Sequence, residues 1–183
     1  MSEFFTRKGD DGYTMILGAG RVPKYDPRLM TTGAIDEANA ALGLARALSV
    51  APQTAAIVTQ VQRHLYALMS EVAADLETAP RFRQIGAEQV AQVEAWTGQV
   101  SGMVELQHEF ILPGDTVAGA AMDVARTVVR RAERELAALI HKGEVENVEL
   151  LRYLNRLSSL CFALEILENA AGGQVRSTLA KGD

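Results

Sequence analysis

Residues 147–171 read NVELLRYLNRLSSLCFALEILENAA, and this stretch decides the fold class. Leu150, Tyr153, Leu157, Leu160, Cys161, Leu164 and Leu167 recur at three- and four-residue spacings and make one apolar helix face suited to a core. Leu151, Asn155, Ser159, Phe162, Ile166 and Asn169 fall on the opposite side, a mixed apolar and amide-bearing surface that a solvated helix does not ordinarily present. Such a face should meet a ligand or another subunit. The stretch therefore predicts a bundle helix in a homo-oligomer with binding sites at subunit contacts.

The segment before it, Ala125 to Glu135 (ARTVVRRAERE), places Arg126, Arg130, Arg131 and Arg134 within nine residues of a chain whose formal net charge is −5. At about 100° per residue, Arg126, Arg130 and Glu133 fall within roughly 60° of one helix face, with Arg134 at its edge and Arg131 turned away. That face suits a polyphosphate. A solvated strip of ion pairs is the plainer reading of the same residues.

The rest of the chain continues the helical pattern. Apolar spacings predict helices over 29–48, 53–76, 87–104 and 117–141, with breaks at 79–86, at Pro113 and Gly114, and at Lys142 to Glu144. With the last helix this makes an all-α five-helix bundle. At 183 residues, 48% hydrophobic and only 5% aromatic, one helical domain spans the chain, with residues 1–28 as an ordered loop rich in Gly, Asp, Thr and Pro. The acidic balance excludes a broad basic field, so neither nucleic acid nor an anionic membrane is expected as a partner. A single cysteine, Cys161, allows no internal disulfide, and no signal-like or membrane-length apolar run is present. These features predict a cytoplasmic protein.

Three further segments carry chemistry-bearing residues. In FTRKGDDGYT (5–14), Gly9 and Gly12 let backbone N–H groups converge on an anion, and Thr6, Arg7, Lys8 and Thr14 supply donors and charge. Ordinary turns have the same composition, and the chain lacks the GxxxxGK[ST] phosphate loop. RVPKYDPR (21–28) offers Lys24 from a proline-stiffened loop. GAIDEANAALG (33–43) places Asp36 and Glu37 early in the first helix, where acids are favoured by the helix dipole and where the arginine helix supplies a cationic partner. Glu105 and His108 form one Glu-x-x-His, but neither His64 nor His141 completes a second, which argues against a di-iron bundle. No activated nucleophile is evident, and Cys161 reads as a small buried hydrophobe.

Together the segments FTRKGDDGYT, RVPKYDPR, GAIDEANAALG, FILPG, ARTVVRRAERE and LRYLNRLSSLCFALEILEN, in this order, resemble the PduO-type ATP:cob(I)alamin adenosyltransferase family. The resemblance implies a homotrimer of five-helix bundles that transfers the 5′-deoxyadenosyl group of ATP to the cobalt of reduced cobalamin and releases triphosphate. It implies Mg²⁺ with the ATP, a flavin-dependent reductase and an adenosylcobalamin-dependent acceptor enzyme. Thr6, Arg7, Lys8, Gly9, Thr14, Met15 and Lys24 would line the ATP site from one subunit. Arg130, Arg131, Glu133, Arg134 and Asn155 would complete it from the neighbour, with Arg130 as the triphosphate clamp. Asp36 and Arg126 would pair across subunits. Phe110 would occupy the lower face of the corrin and keep the dimethylbenzimidazole from cobalt, with Phe162 and Ser159 in the same pocket. Asp115 and Ser159 depart from the family pattern, which commonly has glycine and an acid there. A non-catalytic corrinoid carrier or nucleotide-sensing regulator on the same fold is the alternative, and a helical scaffold for an acidic protein partner is a second.

Overall fold

Asp26 and Pro27 start the first helix for simple reasons: proline lacks the N–H that the first turn leaves unpaired, and the Asp26 carboxylate accepts from the Arg28 N–H at 2.9 Å. The computed structural model describes residues 4–18, 20–105, 109–174 and 176–181. Five helices follow one another, α1 (Pro27–Leu48), α2 (Pro52–Val72), α3 (Ala87–Ser101), α4 (Val117–His141) and α5 (Val148–Ala171), with a short 3-10 turn at Ala79–Phe82. The all-α bundle expected from periodicity is the architecture observed. Helix α4 is the central element, packed between α1 and α5, while α2 lies against α1 and α3 against α5.

Burial follows the apolar spacing. Met122, Ala125, Val129, Ala132, Leu136 and Leu139 of α4 face the core, against Ile35, Ala38 and Leu42 of α1 and the Leu150 to Leu167 stripe of α5. Each fully buried Leu or Ile contributes about 1.5–3 kcal/mol of transfer free energy, so a charge at Leu136 would break the bundle at its centre. Gly119 is where α4 and α5 come closest, since a Cβ there would collide with the Asn169 amide. Asn169 is thereby buried and accepts from the Thr116 hydroxyl at 2.8 Å, so it leaves the ligand-facing surface expected for it. The same hydroxyl accepts from the Gly119 N–H at 3.0 Å and caps α4.

Two charged side chains buried between helices set helix ends. Ala51 has no side chain to cap α2; Glu168 of α5 accepts instead from the Val50 and Ala51 N–H groups, at 2.7 and 3.3 Å. At the other end, buried Arg28 donates to the carbonyls of Val72 (2.8 Å), Ala74 (2.6 Å) and Glu144 (2.6 Å). The Leu17 N–H takes the Ala73 carbonyl at 3.0 Å. These partners consume the terminal carbonyls, which is why α2 stops at Val72 and not at Leu76. Helix α3 stops at Ser101, short of the expected Val104, because Gly102 closes it with its N–H on the Gly98 carbonyl at 3.1 Å. His64 of α2 lies against both Trp96 of α3 and Tyr153 of α5, whose hydroxyl is 3.1 Å from Nδ1.

The amino-terminal loop is more regular than expected. It contains a two-stranded antiparallel sheet, β1 (Tyr13–Met15) and β2 (Arg21–Pro23), with Thr14 opposite Val22. Three-residue strands are too short to leave an alternating signal in sequence. The hairpin is pinned to the end of α2 by a parallel bridge between Leu17 and Ala74. His108, and with it the Glu105–His108 pair, lies outside the described residues.

Candidate active site

The hairpin loop is built around a tight backbone path. Arg7 holds a left-handed conformation (φ 61°) and Gly12 another (φ 82°), which a non-glycine residue adopts at a cost of about 1 kcal/mol. Arg21 fastens the loop by donating to the Asp11 carboxylate at 2.6 Å and to the Lys8 carbonyl at 2.9 Å. The guanidinium holds the Asp11 carboxyl below its ordinary range. Lys24 lies over Gly9, its ammonium 3.1 Å from where a Cβ on Gly9 would stand. Thr6, Arg7, Lys8 and Met15 are exposed, so the loop presents cations and hydroxyls outward from a braced frame.

The arginine block of α4 divides three ways, as helical geometry requires. Arg131 turns toward α1 and forms an ion pair with Glu37. Arg130 and Arg134, with Glu133, line a cavity of about 490 Å³ between α4 and α5 that also touches Asn155, Arg152, Arg156 and His141. Asn155 donates to Glu133 at 2.8 Å and accepts from Arg156 at 2.6 Å, fixing the amide between the helices. Neither Arg130 nor Arg134 has an ion-pair partner among the described residues. Two guanidiniums without an ion-pair partner, beside a fixed amide, leave N–H donors free to meet an anion.

Arg126 points into a different cavity one turn toward the start of α4, of about 330 Å³, lined by Phe110, Ile111, Pro113, Phe162, Asp123 and Glu165 among others. It pairs with Asp123 at 2.7 Å. Phe110 is 89% exposed, an unusual position for a large aromatic side chain, and Phe162 is 38% exposed across from it. The segment carrying Phe110 is strapped by the chain's end: Ala180 N–H donates to the Phe110 carbonyl at 2.7 Å and Leu112 N–H to the Thr178 carbonyl at 2.8 Å. Asp115 holds the strap, accepting from the Thr178 N–H at 3.0 Å and hydroxyl at 2.6 Å. Burial pushes the Glu165 carboxyl up to about 7, with Asp123 adding to the effect and Arg126 opposing it.

A cationic cavity and an aromatic cavity thus share the α4–α5 wall, with a glycine-bearing cationic loop elsewhere on the surface. Residues 4–168 match the family described as cobalamin adenosyltransferase. The chain belongs to the cobalamin adenosyltransferase family. It is 37% identical over 171 residues to the corrinoid adenosyltransferase PduO of Salmonella typhimurium, covering 93% of this chain and 51% of that protein. The PduO protein of Citrobacter freundii is 39% identical over 166 residues, 90% of this chain and 49% of its own. The chain therefore spans about half the length of these two curated relatives. A corrinoid adenosyltransferase of Mycobacterium bovis is 35% identical over 177 residues and matches along 91% of its length. Among solved structures, a phenylalanine-to-alanine variant of the PduO-type ATP:corrinoid adenosyltransferase from Lactobacillus reuteri, complexed with cobalamin and ATP, superposes with a TM-score of 0.90. It is 28% identical and covers 98% of this chain and 100% of the other. An arginine-to-lysine variant complexed with ATP gives 0.88 over 97% of this chain and 99% of the other, again at 28% identity.

Within this chain, the fold brings together Arg130, Glu133, Arg134 and Asn155 in one cavity, and Arg126, Phe110 and Phe162 in the other. Arg131 does not join Arg130, because one residue turns the helix by about 100° and hands it to Glu37. Ser159 is exposed on α5 and is not among the residues lining the aromatic cavity. Thr6, Arg7, Lys8, Gly9, Thr14, Met15 and Lys24 gather on the hairpin loop, and none of them lines the α4–α5 cavity of the same chain. Asp36 is exposed on α1, and within the chain Arg126 is engaged by Asp123 instead. Arg152 and Arg156 escaped the sequence reading, although both flank Asn155 on α5. Glu165 and Asp123 escaped it because single acids among apolar residues carry no spacing signal.

Proposed function

We propose that this chain transfers the 5′-deoxyadenosyl group of ATP to the cobalt of a reduced corrinoid and releases triphosphate. The observation that carries the reading is the one-turn offset between Arg130 in the cationic cavity and Arg126 in the aromatic cavity, about 6 Å along α4. A triphosphate held by the first and a corrin seated on the second would meet at their common border. Cobalt(I) supplies the electron pair of the new cobalt–carbon bond, the C5′–O bond breaks, and its pair leaves on the triphosphate. The protein's work is then positioning and stabilisation of the leaving group, consistent with the lack of an activated nucleophile among the described residues. Cys161 is fully buried and its thiol is pushed up to about 12, which disqualifies it as one.

Arg130 and Arg134 grip the triphosphate in this reading, and Glu133 and Asn155 orient the nucleotide. Among the described residues no three His, Cys, Asp or Glu side chains cluster to hold a metal ion. A Mg²⁺ fits this site when bound mostly through phosphate oxygens and water, with Glu133 as the carboxylate that lines the cavity. Phe110 covers the lower face of the corrin, and Phe162 walls it.

The hairpin loop, with Thr6, Arg7, Lys8, Gly9, Thr14, Met15 and Lys24, completes the nucleotide site from a neighbouring copy in a homotrimer, with residues 1–28 as the ATP-binding segment of a single domain. In that assembly Asp36 competes with Asp123 for Arg126 across the interface. The protein acts in the cytoplasm, taking corrinoid reduced by a flavin-dependent reductase and delivering product to an adenosylcobalamin-dependent enzyme. No helix among the described residues is long and apolar enough to cross a membrane. Anaerobic incubation with ATP, Mg²⁺ and chemically reduced cobalamin tests the reading, with conversion to the adenosylated spectrum expected. Binding of both ligands without conversion would instead favour a corrinoid carrier or nucleotide-sensing regulator.

A further inference from the structure

One carboxyl group in the Phe110 cavity has no task in the reaction above. Glu165 lies one turn past Phe162 on α5, is 1% exposed, and lines the cavity while its Oε2 has no hydrogen-bond partner. A buried polar oxygen left unpaired costs free energy that a ligand group in the cavity would recover.

The surroundings fix the protonation state of this side chain. From α4, Asp123 stands close enough to share a proton with it, and Asp123 is itself engaged by Arg126 at 2.7 Å. Asp115, from the segment leading into α4, adds negative potential, and Glu109 lines the same cavity. On its own helix, buried Cys161 stays a neutral thiol. Arg126 is the one cation lining the cavity among the described residues, and Asp123 already holds it. Glu165 is therefore the group that keeps its proton, its carboxyl lifted to about 7 by burial first and by Asp123 second.

A neutral carboxyl offers one donor and one acceptor. The remaining wall is Phe110, Ile111, Pro113 and Phe162, apolar surface with acids at its margin. Such a slot accepts a broad apolar ring fringed with uncharged amides and repels one fringed with carboxylates. Amides fringe the corrin of cobalamin, so the inference rests on the corrinoid reading of this cavity. We propose that Glu165, in its neutral form, hydrogen-bonds an amide of the corrinoid periphery and sets a preference for amidated over carboxylate-bearing corrinoids.

The sign of the pH effect follows: the interaction is nearly complete at about pH 6, about half lost near pH 7, and lost as the pH rises further and Glu165 ionises. The test measures KM for reduced cobalamin, KM for ATP and the dissociation constant of cob(II)alamin between pH 6 and 8.5. It uses the wild type, Glu165→Gln and Glu165→Ala, with a cobalamin monocarboxylate as the competing corrinoid. In the wild type, corrinoid KM and dissociation constant should rise about tenfold across this range while KM for ATP stays level. Glu165→Gln, which offers a donor and an acceptor at every pH, should flatten the corrinoid profile. Glu165→Ala should weaken corrinoid binding about tenfold at pH 6 and narrow the discrimination against the monocarboxylate. A level wild-type corrinoid profile, or a Glu165→Gln profile that still rises, overturns the proposal even if Glu165→Ala fails to fold. If the wild type binds no corrinoid at any pH, the functional reading and this inference fall together; if it binds and turns over without the pH effect, this inference alone falls.

Discussion

Arg126 is ion-paired with Asp123, three residues before it on α4, at 2.7 Å. Arg130, one turn further on, lines the adjoining cavity with no such partner among the described residues. Two arginines of one helix thus differ in what they have left to offer. A guanidinium already neutralised organises its surroundings, while a free one binds an incoming anion.

Arg130→Ala is expected to lower kcat by about 10²- to 10³-fold, the roughly 3–4 kcal/mol typical of losing one charge-stabilising donor at a reacting centre. Steady-state kinetics with reduced cobalamin provide the check. Wild-type turnover in the variant would remove Arg130 from the triphosphate.

Phe110→Ala should leave the ATP dissociation constant within about twofold of wild type and abolish the shift of cob(II)alamin to its base-off form. The side chain is 89% exposed, so its removal creates no core cavity and the fold should persist. The cob(II)alamin absorption spectrum in the presence of ATP reads the outcome, and an unchanged base-off signal contradicts it.

Arg28 joins three carbonyls from the end of α2 and the segment before α5. Arg28→Ala should destabilise the fold by roughly 2–5 kcal/mol, since buried acceptors lose charged donors and α2 loses its C-terminal tie. Urea unfolding measures this, and a loss below about 1 kcal/mol would show the tie to be dispensable.

Assembly is open to direct measurement. Sedimentation at micromolar concentration should give about three times the chain mass of 19.8 kDa, and Asp36→Arg should shift it toward the single chain. A monomeric wild type would sink the shared-site account.

Cys161 should resist thiol reagents in the native state at pH 8 and react fully on unfolding, because burial raises its thiol to about 12. Rapid native labelling would show that α5 opens readily.

The helices were legible in the sequence because burial repeats at 3.6 residues: the boundaries 117–141 and the α5 core stripe read directly. Features set by tertiary partners were not. The end of α2 depends on Arg28 and Leu17, far away in sequence, and no local pattern announces either. The hairpin is too short to carry an alternation. Asn169 projects onto the ligand-facing side of a helical wheel, yet Gly119 lets α4 close over it. Within the candidate site, spacing along α4 separated Arg131 from Arg130, whereas the pairing of Arg126 with Asp123 within the chain was not read, since a lone acid carries no spacing signal. Glu165 and the Asp115 tether needed coordinates, since their meaning lies in what faces them.

The central claim is that the two cavities on α4 and α5 serve one displacement reaction. Its most direct test is to quantify adenosylcobalamin and triphosphate together in a single anaerobic incubation of the protein with ATP, Mg²⁺ and chemically reduced cobalamin. The account predicts both products in a one-to-one ratio, formed over many turnovers. Binding of ATP and corrinoid without either product, or triphosphate release without a cobalt–carbon bond, would contradict it.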